Sequence, residues 1–199
     1  MLVPFIPHEW KAGFERNGFS EYGIYRDYWI DDLAVVKMDE VYDFLRNDEY
    51  EMASDVTLSC RRQSRGFHGE NAEWFKTWVE GGNPDASYSK DCAVIVHREA
   101  DEIAGLICVG LYGHESEHGT VLWVREIAVR PEYQGKGVGR KLLNQGLSYG
   151  VAHDAKRAFL MADELNANAI RLYKSVGFMP KEDEYQLDML YEGITPVCA

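Results

Sequence analysis

Cysteine is scarce in this chain. Four occur in 199 residues, at Cys60, Cys92, Cys108 and Cys198, with no Cys-x-x-Cys and no pair at metal-ligand spacing. Neither a zinc module nor a dithiol redox site is therefore expected. Cys92 and Cys108 sit in apolar runs and should pack as small core residues. The six histidines form no ligand pattern. His114 and His118 are four apart, but Gly113 and Gly119 bracket them, which suits a loop better than a helix face. No metal is expected. Positive charge is also short. The 21 Lys and Arg face 33 Asp and Glu, a net charge of −12. Such a chain repels a polyanion, so nucleic acid is not an expected partner, whereas a cationic amine is compatible. No stretch near the N-terminus has the basic, apolar, small-residue order of a secretion signal. The longest nearly apolar run, Ile103 to Tyr112, is about half a membrane span. A soluble cytoplasmic protein, with no membrane partner, is the expectation.

What is present is a core. The chain is 46% hydrophobic, enough for one domain with an extension. Residues 1–32 hold eight aromatics without clear periodicity, too many for a disordered tail. They are expected to form an N-terminal extension that packs on a domain of residues 33–199. Leu33 to Val36 reads as a short strand. Asp39 is a candidate cap for a helix carrying Val41, Tyr42, Phe44 and Leu45. The acidic run Asn47 to Glu51 reads as a solvated helix end or as an attraction site for a cation. Glu70 to Val79 suggests a helix with Trp74, Phe75 and Trp78 on one side. After the break at Gly81 to Pro84, three strands are expected: Cys92 to His97, Ile103 to Tyr112 and Val121 to Val129. A helix striped by Val138, Leu142, Leu143, Leu147 and Val151 follows. Then come a strand at Ala158 to Ala162, a helix after Asn166 and a strand at Tyr185 to Tyr191. This order implies an α/β fold on a mixed sheet. No internal repeat is visible.

The third of those strands runs into Pro131 and then three alternate glycines, Gly135, Gly137 and Gly139, before a helix. Glycines in a strand-to-helix turn let the backbone approach a ligand, and the helix N-terminus adds partial positive charge. From Arg125 to Lys141 five cations stand against two carboxylates, a net +3 inside an acidic protein. A phosphate-bearing ligand is the first expectation. A P-loop would need Ser or Thr after Gly-Lys, but Gly137 follows Lys136. A dinucleotide fingerprint needs G-x-G-x-x-G; here Arg140 occupies the place of the last glycine, and Asp154 is the one loosely spaced candidate for a ribose acid.

The pattern that fits is Gln-x-x-Gly-x-Gly, filled by Gln134, Gly137 and Gly139. It resembles the pyrophosphate loop of the GNAT superfamily of N-acetyltransferases. Upstream, Arg125 to Pro131 is similar to that family's fourth strand. Downstream, Asn166 to Phe178 is similar to its second signature, Asn-x-x-Ala through Tyr to Gly-Phe. Ala169, Leu172, Tyr173 and Val176 share one helix face, and Asn166 and Tyr173 lie seven residues apart, within roughly 20° around a helix. From the residues alone, Asn166 reads equally as an N-cap and Tyr173 as a core aromatic.

The resemblance implies a mixed, mostly antiparallel central sheet flanked by helices, the GNAT-like acyl-CoA N-acyltransferase fold, with acetyl-CoA gripped where two central strands splay apart. It implies an acetyl group moved from acetyl-CoA to a primary amine by direct attack. Glu126 is the implied general base and Tyr173 the implied acid. The backbone of Ile127, Ala128 and Val129 would meet the pantetheine arm. Gln134, Gly135, Lys136, Gly137, Val138, Gly139 and Arg140 would hold the pyrophosphate, and Asn166 would touch the reacting end. Many relatives are dimers, so a homodimer is expected. Inactive relatives also exist, and a non-catalytic acyl-CoA-binding module is the alternative. An ordinary carboxyl near 4.3 is a poor acceptor for a proton from an amine near 10.4, so burial should raise Glu126 or a water chain should relay the proton.

Overall fold

The computed structural model describes residues 1–36, 41–61, 64–65, 67–81 and 91–193. Among them run seven strands: β1 (Leu2–Pro7), β2 (Phe19–Ile30), β3 (Asp91–Glu99), β4 (Glu102–Tyr112), β5 (Val121–Val129), β6 (Arg157–Asp163) and β7 (Met179–Tyr191). Five α-helices accompany them: α1 (Lys11–Arg16), α2 (Tyr50–Ser59), α3 (Ala72–Gly81), α4 (Val138–Ala152) and α5 (Ala167–Ser175). The sheet order is β1-β7-β2-β6-β5-β4-β3. The β5–β6 pair is parallel, and the others are antiparallel. This is the mixed, mostly antiparallel α/β sheet that the element order implies. No described helix is long and apolar enough to cross a membrane.

Two cores lie on opposite faces of the sheet. On one, α4 and α5 cover Ile107, Val109, Leu122, Leu160 and Phe178 with Leu142, Leu143, Leu147 and Tyr173. On the other, α2 and α3 bury Val94, Val96, Leu106 and Cys108 under Val56, Phe75 and Trp78. Phe75 and Trp78 are fully buried, so truncating either costs about 3–5 kcal/mol. Asn71 starts α3 by accepting the Trp74 amide at 2.8 Å. Cys108 is core, as its apolar context implies, and Cys92 is partly buried against the same cluster.

The strands β3 to β6 and the helices α3, α4 and α5 lie where periodicity places them. Five other segments differ, one of them β7, which starts at Met179 rather than at Tyr185. Residues 1–32 lay two strands into the sheet, and β2 sits between β6 and β7 near its middle. Leu33–Val35 is a turn of 3-10 helix rather than a strand, because the Asp32 carboxylate accepts the Ala34 amide at 2.9 Å while Leu33 anchors in the core. Val41, Tyr42, Phe44 and Leu45 form no helix. Phe44 bridges Ile95, and backbone bonds from Leu45 to Val94 (3.0 Å) and from Val96 to Asp43 (2.7 Å) lay the segment along the free edge of β3. Its proposed cap, Asp39, lies outside the described residues. The acidic run opens α2. Glu49 accepts the Arg46 amide at 2.9 Å and two Arg98 nitrogens at 2.8 Å each, so it is a buried ion-pair partner and not a solvated helix end.

Candidate functional site

β5 and β6 pair only at Val121–Arg157, Leu122–Ala158 and Trp123–Phe159. Beyond Trp123 they separate. β5 stays on β4 as far as Val129 opposite Gly105, and β6 stays on β2 as far as Asp163 opposite Tyr25. A gap thus opens in the middle of the sheet. A bulge lies at its apex: Val109 faces Val124, but Cys108 faces Glu126, leaving Arg125 as the extra residue. A bulge bends the strand and inverts its alternation. Leu122 and Val124 face the α4 core before it, and Ile127 and Val129 face that core after it, while Ala128 joins the α2–α3 core. Glu126, in phase with Ala128, is thereby turned to the α2–α3 face.

The bulge also decides which main-chain groups face the gap. The Arg130 amide donates to Ala104 O at 2.9 Å. Antiparallel alternation then directs the Ala128 amide and carbonyl toward Leu106, and those of Ile127 and Val129 into the gap. The Val129 carbonyl accepts the Gln134 side-chain amide at 2.8 Å and the Cys60 thiol at 3.2 Å. Gln134 therefore ties the glycine turn to the end of β5.

The three glycines do different work. Gly135 (φ 71°) and Gly137 (φ 87°) adopt left-handed conformations, and a Cβ on either would meet nothing within 4 Å. Their surroundings are open space. Gly139 has ordinary dihedrals, but a Cβ there would lie 3.1 Å from Leu172 Cδ2, so its absence lets α4 approach α5. Gly137 caps α4 without any side-chain bond. The Lys141 amide makes the first helical bond, to Gly137 O at 3.1 Å. The amides of Val138, Gly139 and Arg140 precede it at the positive end of the helix dipole. Around them, Lys136 lies over the Tyr133 ring at 5.1 Å, and Arg140 donates to Ser175 Oγ at 3.1 Å. Tyr133, Lys136, Gly137, Val138 and Lys141 line a cleft of about 390 Å³ with His97 and Glu99 of β3.

Glu126 and Tyr173 border the gap from opposite faces. The Glu126 side chain is 9% exposed and accepts Arg125 Nη1 at 3.2 Å. Burial pushes its carboxyl up to about 8; Arg125 opposes the shift and Glu70 adds to it. Tyr173 is buried between Tyr28 and Phe178, with ring centroids 6.5 and 6.4 Å away. Burial raises its phenol well above the usual range, and the Glu126 charge raises it further. Asn166 is the N-cap of α5, its Oδ1 accepting the Ala169 amide at 3.1 Å. Of the two arginines beside Glu126 in sequence, Arg125 pairs with it, whereas Arg130 donates to Ile103 O at 3.0 Å.

Two groups of site residues escape sequence reading. Glu70, in the α2–α3 connection, meets Arg125 at 3.3 Å, a contact across 55 residues with no local signal. Trp123, Phe159 and Trp29 are register partners across β5, β6 and β2 and form an aromatic row, with Trp29 and Phe159 centroids 4.9 Å apart. Asp27 lies two register pairs along, opposite Met161, and Glu184 accepts the Trp29 indole at 3.0 Å. Burial and the Glu184 charge raise the Asp27 carboxyl to about 6.

The sheet thus parts beside an α4 N-terminus that no side chain caps, and a buried carboxyl, Glu126, and a buried phenol, Tyr173, lie on its two faces there. The sequence profile of the acetyltransferase (GNAT) family matches residues 63–178, more than half of the chain. The chain belongs to that family, and the domain is of the acyltransferase class. It is 33% identical over 110 residues to spermine/spermidine N(1)-acetyltransferase of Bacillus subtilis, covering 51% of this chain and 71% of that one. It is 36% identical over 149 residues to mycothiol acetyltransferase of Acidothermus cellulolyticus, covering 69% of this chain and 44% of that enzyme. The chain thus spans less than half of the mycothiol enzyme. Among solved structures, a GCN5-related N-acetyltransferase from Sphaerobacter thermophilus superposes with a TM-score of 0.66 at 16% identity, over 95% of this chain and 59% of that one. That likeness concerns the fold.

Proposed function

We propose that the protein is an acetyl-CoA-dependent N-acetyltransferase that acts on a primary amine. The observation that carries this reading is the placement of a buried carboxyl, Glu126, and a buried phenol, Tyr173, on either side of a gap between parallel strands. Open glycine positions and an uncapped α4 N-terminus at the end of β5 fit a pyrophosphate, and Lys136, Arg140 and Lys141 add charge of the right sign. Bound acetyl-CoA supplies the activated thioester. The main-chain groups of Ile127 and the Val129 amide face the gap and suit pairing with its pantetheine arm as an added strand would, while the Val129 carbonyl is held by Gln134 and Cys60. Amides from Gly135 to Arg140 hold the diphosphate.

Glu126 then removes the proton from the acceptor. An ordinary carboxyl near 4.3 would face an uphill transfer of about 8 kcal/mol from an amine near 10.4. With the carboxyl at about 8, the gap falls to about 3 kcal/mol. Tyr173 holds the departing sulfur by a hydrogen bond that strengthens as charge develops there. Outright protonation by Tyr173 is disfavoured, because its raised phenol is far weaker an acid than a thiol near 8.5. For the acceptor, the Asp27 and Glu184 carboxylates near Phe159 suit an ammonium group, while the Trp123 and Trp29 rings beside them carry the Arg125 and Arg157 guanidiniums at 5.8 and 5.2 Å. The relative named for spermine and spermidine supports an amine of this kind.

Incubation with acetyl-CoA and a panel of amines, following free thiol, tests the proposal. Amine-dependent thiol release supports it. Saturable CoA binding without release from any amine favours the non-catalytic module, and absence of CoA binding removes the reading altogether. A cytoplasmic, metal-independent homodimer completes the proposal. Exposed Leu2, Phe5 and Trp10, on and beside the edge strand β1, support self-association, which sedimentation velocity measures.

A further inference from the structure

We infer that Arg125, anchored by Glu70, is a positioning residue that fixes the Glu126 carboxyl in the gap and governs the pH at which it ionises. The inference rests on the reading of Glu126 as the base. The bulge makes Arg125 the one residue of β5 without a register partner on β4. Its guanidinium lies 5.5 Å from the Trp74 ring centroid and 5.8 Å from that of Trp123, a slot between α3 and β5. From there one nitrogen donates to Glu126 Oε2 at 3.2 Å and the other to Glu70 Oε1 at 3.3 Å. A guanidinium is a rigid fork, so fixing one tine orients the other.

Glu70 is itself held. Its amide donates to Thr57 Oγ1 at 2.9 Å, and its carbonyl accepts from the same hydroxyl at 3.2 Å. Thr57 is fully buried in α2. Gly69 precedes Glu70 with φ 76°, and a Cβ there would stand 3.0 Å from Leu58 N and from Thr57 C, so only glycine lets the connection lie this close to α2. A continuous path therefore runs from α2 through Thr57, Glu70 and Arg125 to Glu126.

Among the described residues, Arg125 of β5 and Glu70 of the α2–α3 connection act on Glu126, and its charge in turn acts on Cys108 of β4, Cys60 just after α2 and Tyr173 of α5. Burial raises both thiols and the phenol, so all three are neutral near pH 7. Arg130, which acts on Cys60, is directed to Ile103 O. Among the described residues, the two formal charges that act on Glu126 are thus Arg125 and Glu70, and they are opposite in sign. Their removal should move Glu126 in opposite directions, whereas loss of a merely structural contact would not.

The test is a pH titration of the full chain labelled with ¹³C-carboxyl glutamate, with the Glu126 resonance identified by its loss in Glu126→Gln. Arg125→Met should raise the Glu126 midpoint by about one unit, and Glu70→Gln should lower it by a few tenths. Arg125→Lys keeps the charge but cannot span both carboxylates. It should leave the midpoint near that of the wild type while kcat falls at least about tenfold and KM for acetyl-CoA holds. Midpoints that stay fixed, or that move the same way in Arg125→Met and Glu70→Gln, overturn the inference. If Arg125→Met does not fold, Glu70→Gln and Arg125→Lys decide it alone: a lowered midpoint in the first and an unchanged midpoint with reduced kcat in the second uphold it, and any other pair rejects it. Midpoints that shift as stated while the pH–rate profile ignores them would instead reject Glu126 as the base and leave the positioning intact.

Discussion

Arg65 donates to Asp163 across 2.6 Å and so joins the α2–α3 connection to β6, on the far side of the gap from α2 and α3. The Asp163 side chain is 2% exposed. A second Arg65 nitrogen bonds the Tyr22 carbonyl, and the Tyr25 hydroxyl donates to Arg65 O at 2.7 Å. One residue thus holds together two halves of a sheet that have parted. Removing one partner of a buried pair leaves the other charge unpaired at about 3–5 kcal/mol. Arg65→Met is expected to lower unfolding stability by about 3 kcal/mol, measured in urea. A Cβ at Gly23 would collide with the Arg65 guanidinium, so Gly23→Ala should reproduce a substantial part of that loss without touching either charge. A Gly23→Ala protein as stable as wild type would mean that the pair bears little load.

The glycines of the turn should separate in the same way. Gly137→Ala puts a Cβ into open space, and its cost is the left-handed backbone, about 1–2 kcal/mol. If the turn relaxes to avoid that cost, the amides that follow are re-aimed. CoA affinity is therefore expected to fall about tenfold by calorimetry. Gly139→Val presses on Leu172 and should cost about 1–3 kcal/mol of stability, moving α4 off α5. Equal effects of the two changes on CoA binding and on stability would contradict this division.

Where periodicity reports burial, the fold is legible. Val121 to Val129 is a strand to the residue, and the stripe of Val138, Leu142, Leu143 and Leu147 faces the core in α4. The glycine turn is legible because positive φ demands glycine at Gly135 and Gly137. Legibility fails where a partner distant in sequence supplies the stabilisation. Val41 to Leu45 carries a helical spacing, yet Val41 is 71% exposed and the segment takes its hydrogen bonds from β3. α2 is missed because its buried face includes Ala53, Ser54 and Thr57, which carry no apolar stripe. β2 alternates poorly because its pairing with β7 shifts register between Glu21 and Gly23 and again between Arg26 and Tyr28, which breaks the phase of its buried face. The bulge at Arg125 leaves no mark in composition, so Glu126 was a candidate by resemblance while its Arg125–Glu70 support could not be foreseen.

Tyr173→Phe removes one oxygen from a buried site and leaves the ring in place. A hydrogen bond to a charged acceptor contributes about 1.5–3 kcal/mol, so kcat should fall roughly 10- to 150-fold if the phenol steadies the leaving sulfur. CoA affinity should change less than about threefold, because the glycine turn proposed to hold its diphosphate is a separate element at the N-terminus of α4. Thermal unfolding should move little. Unchanged kcat in the variant would take Tyr173 out of the chemistry and return it to the core.

Glu126 makes opposite demands on activity and stability. The proposed base must be ionised to act, so kcat/KM of the wild type should climb with pH toward about 8, and Glu126→Gln should flatten that rise. Stability runs the other way. The folded carboxyl holds its proton up to about 8, whereas an unfolded one loses it near 4.3. Between those values the folded state binds more protons, so unfolding free energy falls as pH rises. The contribution is fully present below about pH 4 and lost above about pH 8. Glu126→Gln removes the slope. Its melting temperature should match the wild type's near pH 4 and exceed it at pH 8.5 by several degrees, because even 1 kcal/mol moves Tm by about 2–4 °C in a chain of this size. Identical slopes in the two proteins would place Glu126 in contact with solvent at every pH, and a carboxyl so placed would lack the proton affinity that the proposed transfer needs.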